Sequence, residues 1–302
     1  MAADSRATLG DAELVRQIRN GVGSDRSLID EYYRRCIPIY ESFLGRHWHT
    51  GWYEPGGPAP SPRDPERMIA VVAASAAIRP GMRVLDVGCG IGGTVGWLAR
   101  EAGVEAVGLT PVAEQKHRAD RRLAREGLDA RIEIGHAEAM PFADASFDAV
   151  LFFESTCHIA DRAALFREAL RVLRPGGRLA GEDWMRRSSD GQAGATMMLE
   201  RIERLWAIPA LGSLADYRAL IEAAGFDRCS VHDLRDECAL ERGFAVAPAQ
   251  QQDLLAEIES CREPLLRLVL EGLLALGQAT AAACFTIGRV AAEKPPAGSG
   301  AR

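Results

Sequence analysis

The stretch Arg83-Val-Leu-Asp-Val-Gly-Cys-Gly-Ile-Gly-Gly93 restricts the fold of this chain more than any other. Val84, Leu85 and Val87 make a short apolar strand, four glycines follow, and Thr94 to Arg100 resumes with helical spacing. That order reads as a strand, a tight turn and a helix N-terminus. Gly88, Gly90 and Gly92 lack a Cβ, so the backbone there can take φ > 0 and a ligand can lie against it. The helix start aims free N–H groups at the same place, and Asp86 adds a carboxylate beside it.

Two ligand classes use such a turn. Gly88, Gly90 and Gly93 satisfy the G-x-G-x-x-G spacing of a dinucleotide site. The other class is S-adenosylmethionine, whose ammonium seeks an acceptor such as Asp86 and whose carboxylate seeks the turn's N–H groups; the acid ahead of the glycines favours it. At the end of the next strand an acid normally grips the ribose hydroxyls. Here that strand ends Val107-Gly-Leu-Thr-Pro111, so the acid is absent for either ligand.

Apolar runs and helical periods alternate regularly from residue 82 to 184. Strands are expected at Val104–Leu109, Arg131–Ile134, Ala149–Phe153 and up to Glu182, with helices at Pro111–Glu126 and Asp161–Leu173 between them. Such alternation implies right-handed crossovers and a parallel sheet covered on both faces. Cys229–Leu234 and Ala283–Ala292 add two strands. Helices are expected at Met197–Trp206 and Leu214–Ala224, and residues 240–282 are mostly helical in pattern. Before the glycine turn, Asp25 to Leu44 is helical, with Pro38 expected to kink or divide it and Gly45 to stop it. Asp64-Pro65-Glu66 reads as an N-cap and first turn of a helix reaching about Ile78. The expected fold is α/β: a Rossmann-like, seven-stranded, mostly parallel sheet with helices on both faces. A helical cap would occupy 1–79 and the ligand-binding domain 80–293, with lid segments at about 187–212 and 240–282; residues 294–302 read as a disordered tail.

A net charge of −6 over 302 residues, with no run of Lys or Arg, argues against a nucleic-acid partner. Seven scattered cysteines with no C-x-x-C pair fit reduced thiols and a cytoplasmic protein better than disulfides or a metal site. Met1 to Asn20 lacks the apolar core of a signal peptide. Pro264–Ala283 carries Arg267, Glu271 and Gln278 at helical spacing, which reads as an amphipathic helix rather than a membrane span. Homo-oligomerisation is open.

Gly108-Leu-Thr-Pro-Val-Ala-Glu-Gln115 resembles the Gly-hydrophobic-Thr-Leu-Ser-x-x-Gln segment of class I S-adenosylmethionine-dependent methyltransferases, in the branch of sterol and geranyl diphosphate C-methyltransferases. Gly135-His-Ala-Glu-Ala-Met-Pro-Phe142, Phe152-Phe-Glu-Ser-Thr-Cys-His158 and Leu170-Arg-Val-Leu-Arg-Pro-Gly-Gly177 are similar to further segments of that branch. So are Tyr32-Tyr33, Tyr40-Glu41 and Trp48-His49. The resemblance implies that Asp86, Gly88, Cys89, Gly90 and Gly92 clamp the methionine end of the cofactor, that Thr110 and Gln115 hold the ribose, and that His136 or Glu138 with the Ala137 N–H meets the adenine. Tyr33 would shield the sulfonium. It further implies Glu154 as cation stabiliser or base with His49 as a catalytic candidate, and Tyr32, His47, Trp48, Trp52, His158, Trp184 and Trp206 around the acceptor. The acceptor would be a small apolar molecule, an isoprenoid-type alkene first and the oxygen or nitrogen of another natural product second. Mg²⁺ would enter only with a diphosphate acceptor. A reading of another class is a non-catalytic S-adenosylmethionine-binding scaffold, or a cyclase on the same fold.

Overall fold

The computed structural model describes residues 9–187, 193–244 and 248–298. Three helices come first: α1 (Asp11–Arg19), α2 (Arg26–Leu44) and α3 (Asp64–Ser75). Alternation then begins with β1 (Arg83–Val87), α4 (Gly93–Glu101), β2 (Glu105–Thr110), α5 (Ala113–Arg125), β3 (Ala130–Ile134), β4 (Phe147–Phe153), α6 (Arg162–Val172) and β5 (Leu173–Arg186). α7 (Ala193–Leu205), α8 (Leu214–Ala224), β6 (Asp227–Asp233), α9 (Glu241–Phe244), α10 (Pro248–Ser260), α11 (Pro264–Ala281) and β7 (Phe285–Glu293) follow.

The strands form one seven-stranded sheet in the order β3-β2-β1-β4-β5-β7-β6. Neighbours from β3 through β5 pair in parallel, and β7 is antiparallel to both β5 and β6. The strand order reverses between β1 and β4, and at such a switch point the loops leaving the carboxyl ends part and open a crevice.

Period-two alternation divides each strand between two cores. Val84, Ala106, Ala149, Leu151, Phe153, Ala180 and Trp184 face α1 to α5, α7 and α11. Leu85, Val107, Leu109, Val150, Phe152 and Leu179 face α6 and α8. The N-terminal helices thus share one core with the sheet, each fully buried Leu or Ile contributing about 1.5–3 kcal/mol of transfer free energy.

Some boundaries depart from the sequence expectation. α2 continues through Pro38 without dividing; the missing hydrogen bond costs about 3 kcal/mol, and the buried Tyr32, Cys36, Ile37 and Tyr40 on flanking turns offset it. α3 starts at Asp64, with Arg63 as its cap. Asp64 instead accepts from the Ser61 N–H at 2.6 Å. The helix ends at Ser75, short of Ile78, because Ala77 turns left-handed (φ 49°) and the Ile78 N–H returns to the Ala73 carbonyl at 3.0 Å. α5 starts at Ala113 rather than Pro111, since the Thr110 hydroxyl accepts the Val112 N–H at 3.2 Å and holds the turn. α11 is long and apolar enough to cross a membrane, yet 56% of it is buried within the protein. In the lid and tail segments, residues 188–192, 245–247 and 299–302 lie outside the described residues. Lys294, where the tail begins, donates to the carbonyls of Leu170 and Leu173.

Candidate active site

Beyond β1 the backbone turns left-handed at Gly88, Gly90 and Gly92 (φ 75, 51 and 77°). A Cβ on Gly88 would stand 2.4 Å from the Ser155 Cβ, and one on Gly90 3.4 Å from the Trp48 ring. Both positions need glycine for conformation, and Gly88 for space as well. A cavity of about 310 Å³ opens over this turn. Asp86 forms part of its wall and is 2% exposed. Burial alone pushes its carboxyl up to about 7, the state of a buried acid that lacks a cation.

At the end of β2 the buried Thr110 hydroxyl donates to Gln115 Oε1 at 2.5 Å, and both residues face the cavity. This pair stands where the missing acid would be. His136, Ala137 and Glu138 line the same end. Glu138 pairs with Arg26 at 3.0 Å, and the His136 ring lies 4.0 Å from the Asp30 carboxylate. An ammonium acceptor, a glycine cradle and a polar ribose contact therefore lie in the order that S-adenosylmethionine requires.

At the other end stands Glu154, the first residue after β4. It is left-handed (φ 45°), a conformation that costs a residue with a Cβ about 1–2 kcal/mol. Two bonds hold it there: its N–H donates to the Glu182 carbonyl at 2.9 Å, and its Oε1 accepts the Thr50 N–H at 2.6 Å. Burial pushes its carboxyl up to about 8, the Thr50 N–H opposing and the nearby Asp183 adding. The segment carrying Thr50 lies on the start of α4 so closely that a Cβ on Gly93 would be 2.1 Å from the Arg46 carbonyl oxygen.

The other three histidines of the wall differ. His49 Nδ1 lies 2.9 Å from the Thr50 carbonyl, which can only accept, so Nδ1 carries the proton and Nε2 keeps its lone pair. Nε2 is buried without a hydrogen-bond partner, and burial lowers the ring to about 4, so it is neutral at physiological pH. His158 is engaged at both nitrogens, with Tyr33 Oη at 2.5 Å and the Ala207 carbonyl at 3.4 Å. His47 makes no hydrogen bond at either nitrogen among the described residues, with Glu66 3.8 Å from Nε2, and burial lowers it to about 3.

Aromatic rings enclose the space between. Tyr40 packs edge-on to Trp48 (centroids 5.3 Å apart) and stacks with Trp206 (6.0 Å), which meets Trp184 edge-on at 5.1 Å. Cys89 completes the turn side of the wall.

Three expected site residues lie outside the wall. Tyr32 is fully buried behind it, bonded to the Tyr40 hydroxyl at 2.6 Å. One helical residue is about 100° of rotation, which turns Tyr33 and Tyr40, seven apart, into the cavity and Tyr32 away. Trp52 follows the chain outward, its N–H bonded to the Asp64 carbonyl and its indole to Glu54 at 3.2 Å. Gly92 caps α4, where a Cβ would meet Ala119 of α5 at 2.8 Å, so its role is to seat one helix on the other. Tyr40, Thr50 and Glu182 were missed. Tyr40 was readable from its spacing to Tyr33, and Glu182 from two consecutive acids inside an apolar strand. Thr50 acts through its main chain and has no side-chain signal.

The methyltransferase domain family matches residues 85–181. Methyltransferase GfsG of Streptomyces halstedii is 35% identical over 224 residues, which cover 73% of this chain and 80% of that protein. The chain belongs to the class I S-adenosylmethionine-dependent methyltransferases. 24-Methylenesterol C-methyltransferase 2 of Oryza sativa subsp. japonica is 33% identical over 214 residues, 69% of this methyltransferase but only 58% of the rice protein's length. The crystal structure of the [4+2]-cyclase SpnF shares the fold of the methyltransferase, with a TM-score of 0.73 at 22% identity, covering 91% of this chain and 97% of that one. The family match ends within β5, so the part of the cavity wall built by α2, the 47–50 segment, Trp206, Phe244 and α11 lies outside it.

Proposed function

We propose that this methyltransferase alkylates an alkene carbon of a small, largely apolar, isoprenoid-type acceptor, with Glu154 facing the cationic centre that results. The observation that carries this reading is Glu154, a buried carboxyl held by the Thr50 N–H at the edge of an aromatic cavity. The cofactor supplies a methyl group on a positively charged sulfur. Asp86 would hold its ammonium, the turn at Gly88 and Gly90 its carboxylate, and Thr110 with Gln115 its ribose. As the alkene takes the methyl group, positive charge passes to the adjacent acceptor carbon. Glu154 lowers the energy of that charge and stands where a proton can be taken from the neighbouring carbon. The faces of Tyr40, Trp48 and Trp206 add cation–π attraction of about 0.5–2 kcal/mol each. Arg26 and Arg46, the wall's guanidinium groups among the described residues, are paired with Glu138 and Glu126, which favours an acceptor without a diphosphate. The rice relative, named for a methylenesterol, supports an alkene acceptor.

A second reading is O-methylation, favoured by His49, a neutral ring of the cavity wall whose Nε2 makes no hydrogen bond among the described residues and could serve as a base for a hydroxyl. Labelled S-adenosylmethionine with a panel of sterols, isoprenyl diphosphates, phenols and amines identifies the acceptor. Under the first reading the product is C-methylated, and Glu154→Gln abolishes turnover while binding S-adenosylhomocysteine nearly as the wild type does. An O-methylated product, an active Glu154→Gln variant and an inactive His49→Gln variant would establish the second.

A further inference from the structure

Strand β5 carries an acid that the reading above leaves without a role. Glu182 is fully buried, and among the described residues neither of its carboxyl oxygens has a hydrogen-bond partner. Its neighbour Asp183 points to the opposite face and is satisfied there by the Thr156 hydroxyl, the Tyr217 hydroxyl at 3.0 Å and the Trp184 N–H at 2.8 Å. In the β4–β5 register Glu182 stands opposite Phe153, and its carbonyl takes the Glu154 N–H. The two glutamates therefore leave adjacent strands side by side. Ser155, next in the chain, lies against Gly88, which puts the pair beside the glycine turn.

No cation reaches this pair among the described residues. From the 47–53 segment it faces His49 and Tyr53, with His49 Nδ1 3.9 Å from Glu182 Oε1, His47 packed on the His49 ring (centroids 5.6 Å apart) and both rings kept neutral by burial. α2 presents Tyr33, the turn after β4 presents Cys157 and His158, the segment before α9 presents Cys238, and β5 presents Asp183. Arg162 acts on Asp183, bonded to the carbonyls of Thr156 and Cys157. Two carboxylates in such surroundings cannot both ionise, and without a cation the pair keeps its protons. Burial raises both acids above the ordinary carboxylate range, with Asp183 adding to Glu154, and Glu154 and Asp183 adding to Glu182.

We infer that Glu154 and Glu182 act as one proton-holding pair that releases a proton to solvent when the sulfonium of S-adenosylmethionine enters, so that positive charge is admitted by exchange. One carboxyl O–H bond breaks, the proton leaves to bulk water, and the carboxylate stays beside the sulfonium with the net charge of the pocket unchanged. Methyl transfer turns the sulfonium into a neutral thioether and frees one proton from the acceptor, which restores the pair. S-Adenosylhomocysteine, which has the ammonium and no sulfonium, leaves the pair protonated. The inference rests on the cofactor and is independent of the acceptor.

The test is calorimetric titration of the wild-type protein with S-adenosylmethionine and with S-adenosylhomocysteine, in buffers of different protonation enthalpy, from about pH 6.5 to 9. Asp86 faces the ammonium common to both ligands, so its contribution cancels in the difference. Near neutral pH S-adenosylmethionine should release about one proton more than S-adenosylhomocysteine. Its affinity relative to S-adenosylhomocysteine should rise up to about tenfold per pH unit and level off above the pair's titration. The extra release should vanish in the Glu154→Gln/Glu182→Gln double variant and persist in His49→Gln. Equal release by the two ligands across the wild-type series overturns the inference, with no variant needed. So does extra release that survives in the double variant, or that is lost in His49→Gln.

Discussion

Replacing Asp86 by Asn separates what the site costs the empty protein from what it contributes to binding. The carboxyl moves from an ordinary value of 3.8 to about 7 on folding, with burial as the cause. The folded state therefore binds this proton more tightly than the unfolded chain does. Stability from this group is fully present below about pH 4 and is lost as pH rises through about 7. A difference of roughly 3 pH units at 1.36 kcal/mol each is about 4 kcal/mol. Asn does not titrate, so Asp86→Asn should match the wild type near pH 4 and exceed it by about 4 kcal/mol near pH 8, a rise in Tm on the order of 10 °C. An unpaired buried amide would subtract about 1–3 kcal/mol at every pH and leave the slope untouched. Glu154 and Glu182 contribute equally to both proteins and cancel. Binding should change in the opposite direction, because a charge-assisted bond to the ammonium is worth about 1.5–3 kcal/mol, roughly 10- to 100-fold in the Kd of S-adenosylhomocysteine. Denaturant titrations of the ligand-free proteins from pH 4 to 8, with calorimetric binding, measure both. A stability difference that does not vary with pH, or an unchanged Kd, would refute the assignment of Asp86.

Gly88→Ala combines a left-handed backbone costing about 1–2 kcal/mol with a Cβ 2.4 Å from the Ser155 Cβ. Denaturant midpoints should show about 2–5 kcal/mol of lost stability once overpacking is added, and wild-type stability would mean the turn is looser than the structure has it. Thr110→Val keeps the volume but removes the acceptor of the Val112 N–H and the donor to Gln115. It should cost about 1–3 kcal/mol and weaken S-adenosylhomocysteine binding about tenfold by calorimetry; unaltered binding would remove this pair from the ribose site. The buried Trp184 indole N–H makes no hydrogen bond of normal geometry among the described residues yet lies near enough to Glu154 to hold its carboxyl down, so with Trp184→Phe thermal melts should change by less than about 1 kcal/mol while turnover falls. A loss above about 2 kcal/mol would show that the N–H is bonded.

How far the sequence reached depended on the range of the interactions involved. The alternation from β1 to β5, the glycine turn and the caps at Asp25, Asp161 and Gly225 were readable because each rests on neighbours a few residues apart. The family segments put Asp86, Thr110 and Glu154 at the carboxyl ends of their strands and Gln115 in the first turn of the helix after β2, where the structure has them, for the same reason. Helical phase was harder: Tyr32 and Tyr33 look alike in sequence, and only packing of α2 against α1, α5 and α11 decided that Tyr33 and Tyr40 face the cavity. The protonation states were beyond reach. Glu154 becomes a poised acid through burial, held in place by the main chain of Thr50, 104 residues away, and by the Glu182 carbonyl on the next strand. The sequence by itself determined a strand, a glycine turn and the acid and polar residues beside it. The tertiary structure decided which side chains enclose the cavity over that turn and what charge they carry, because burial and the distant groups that share it set both.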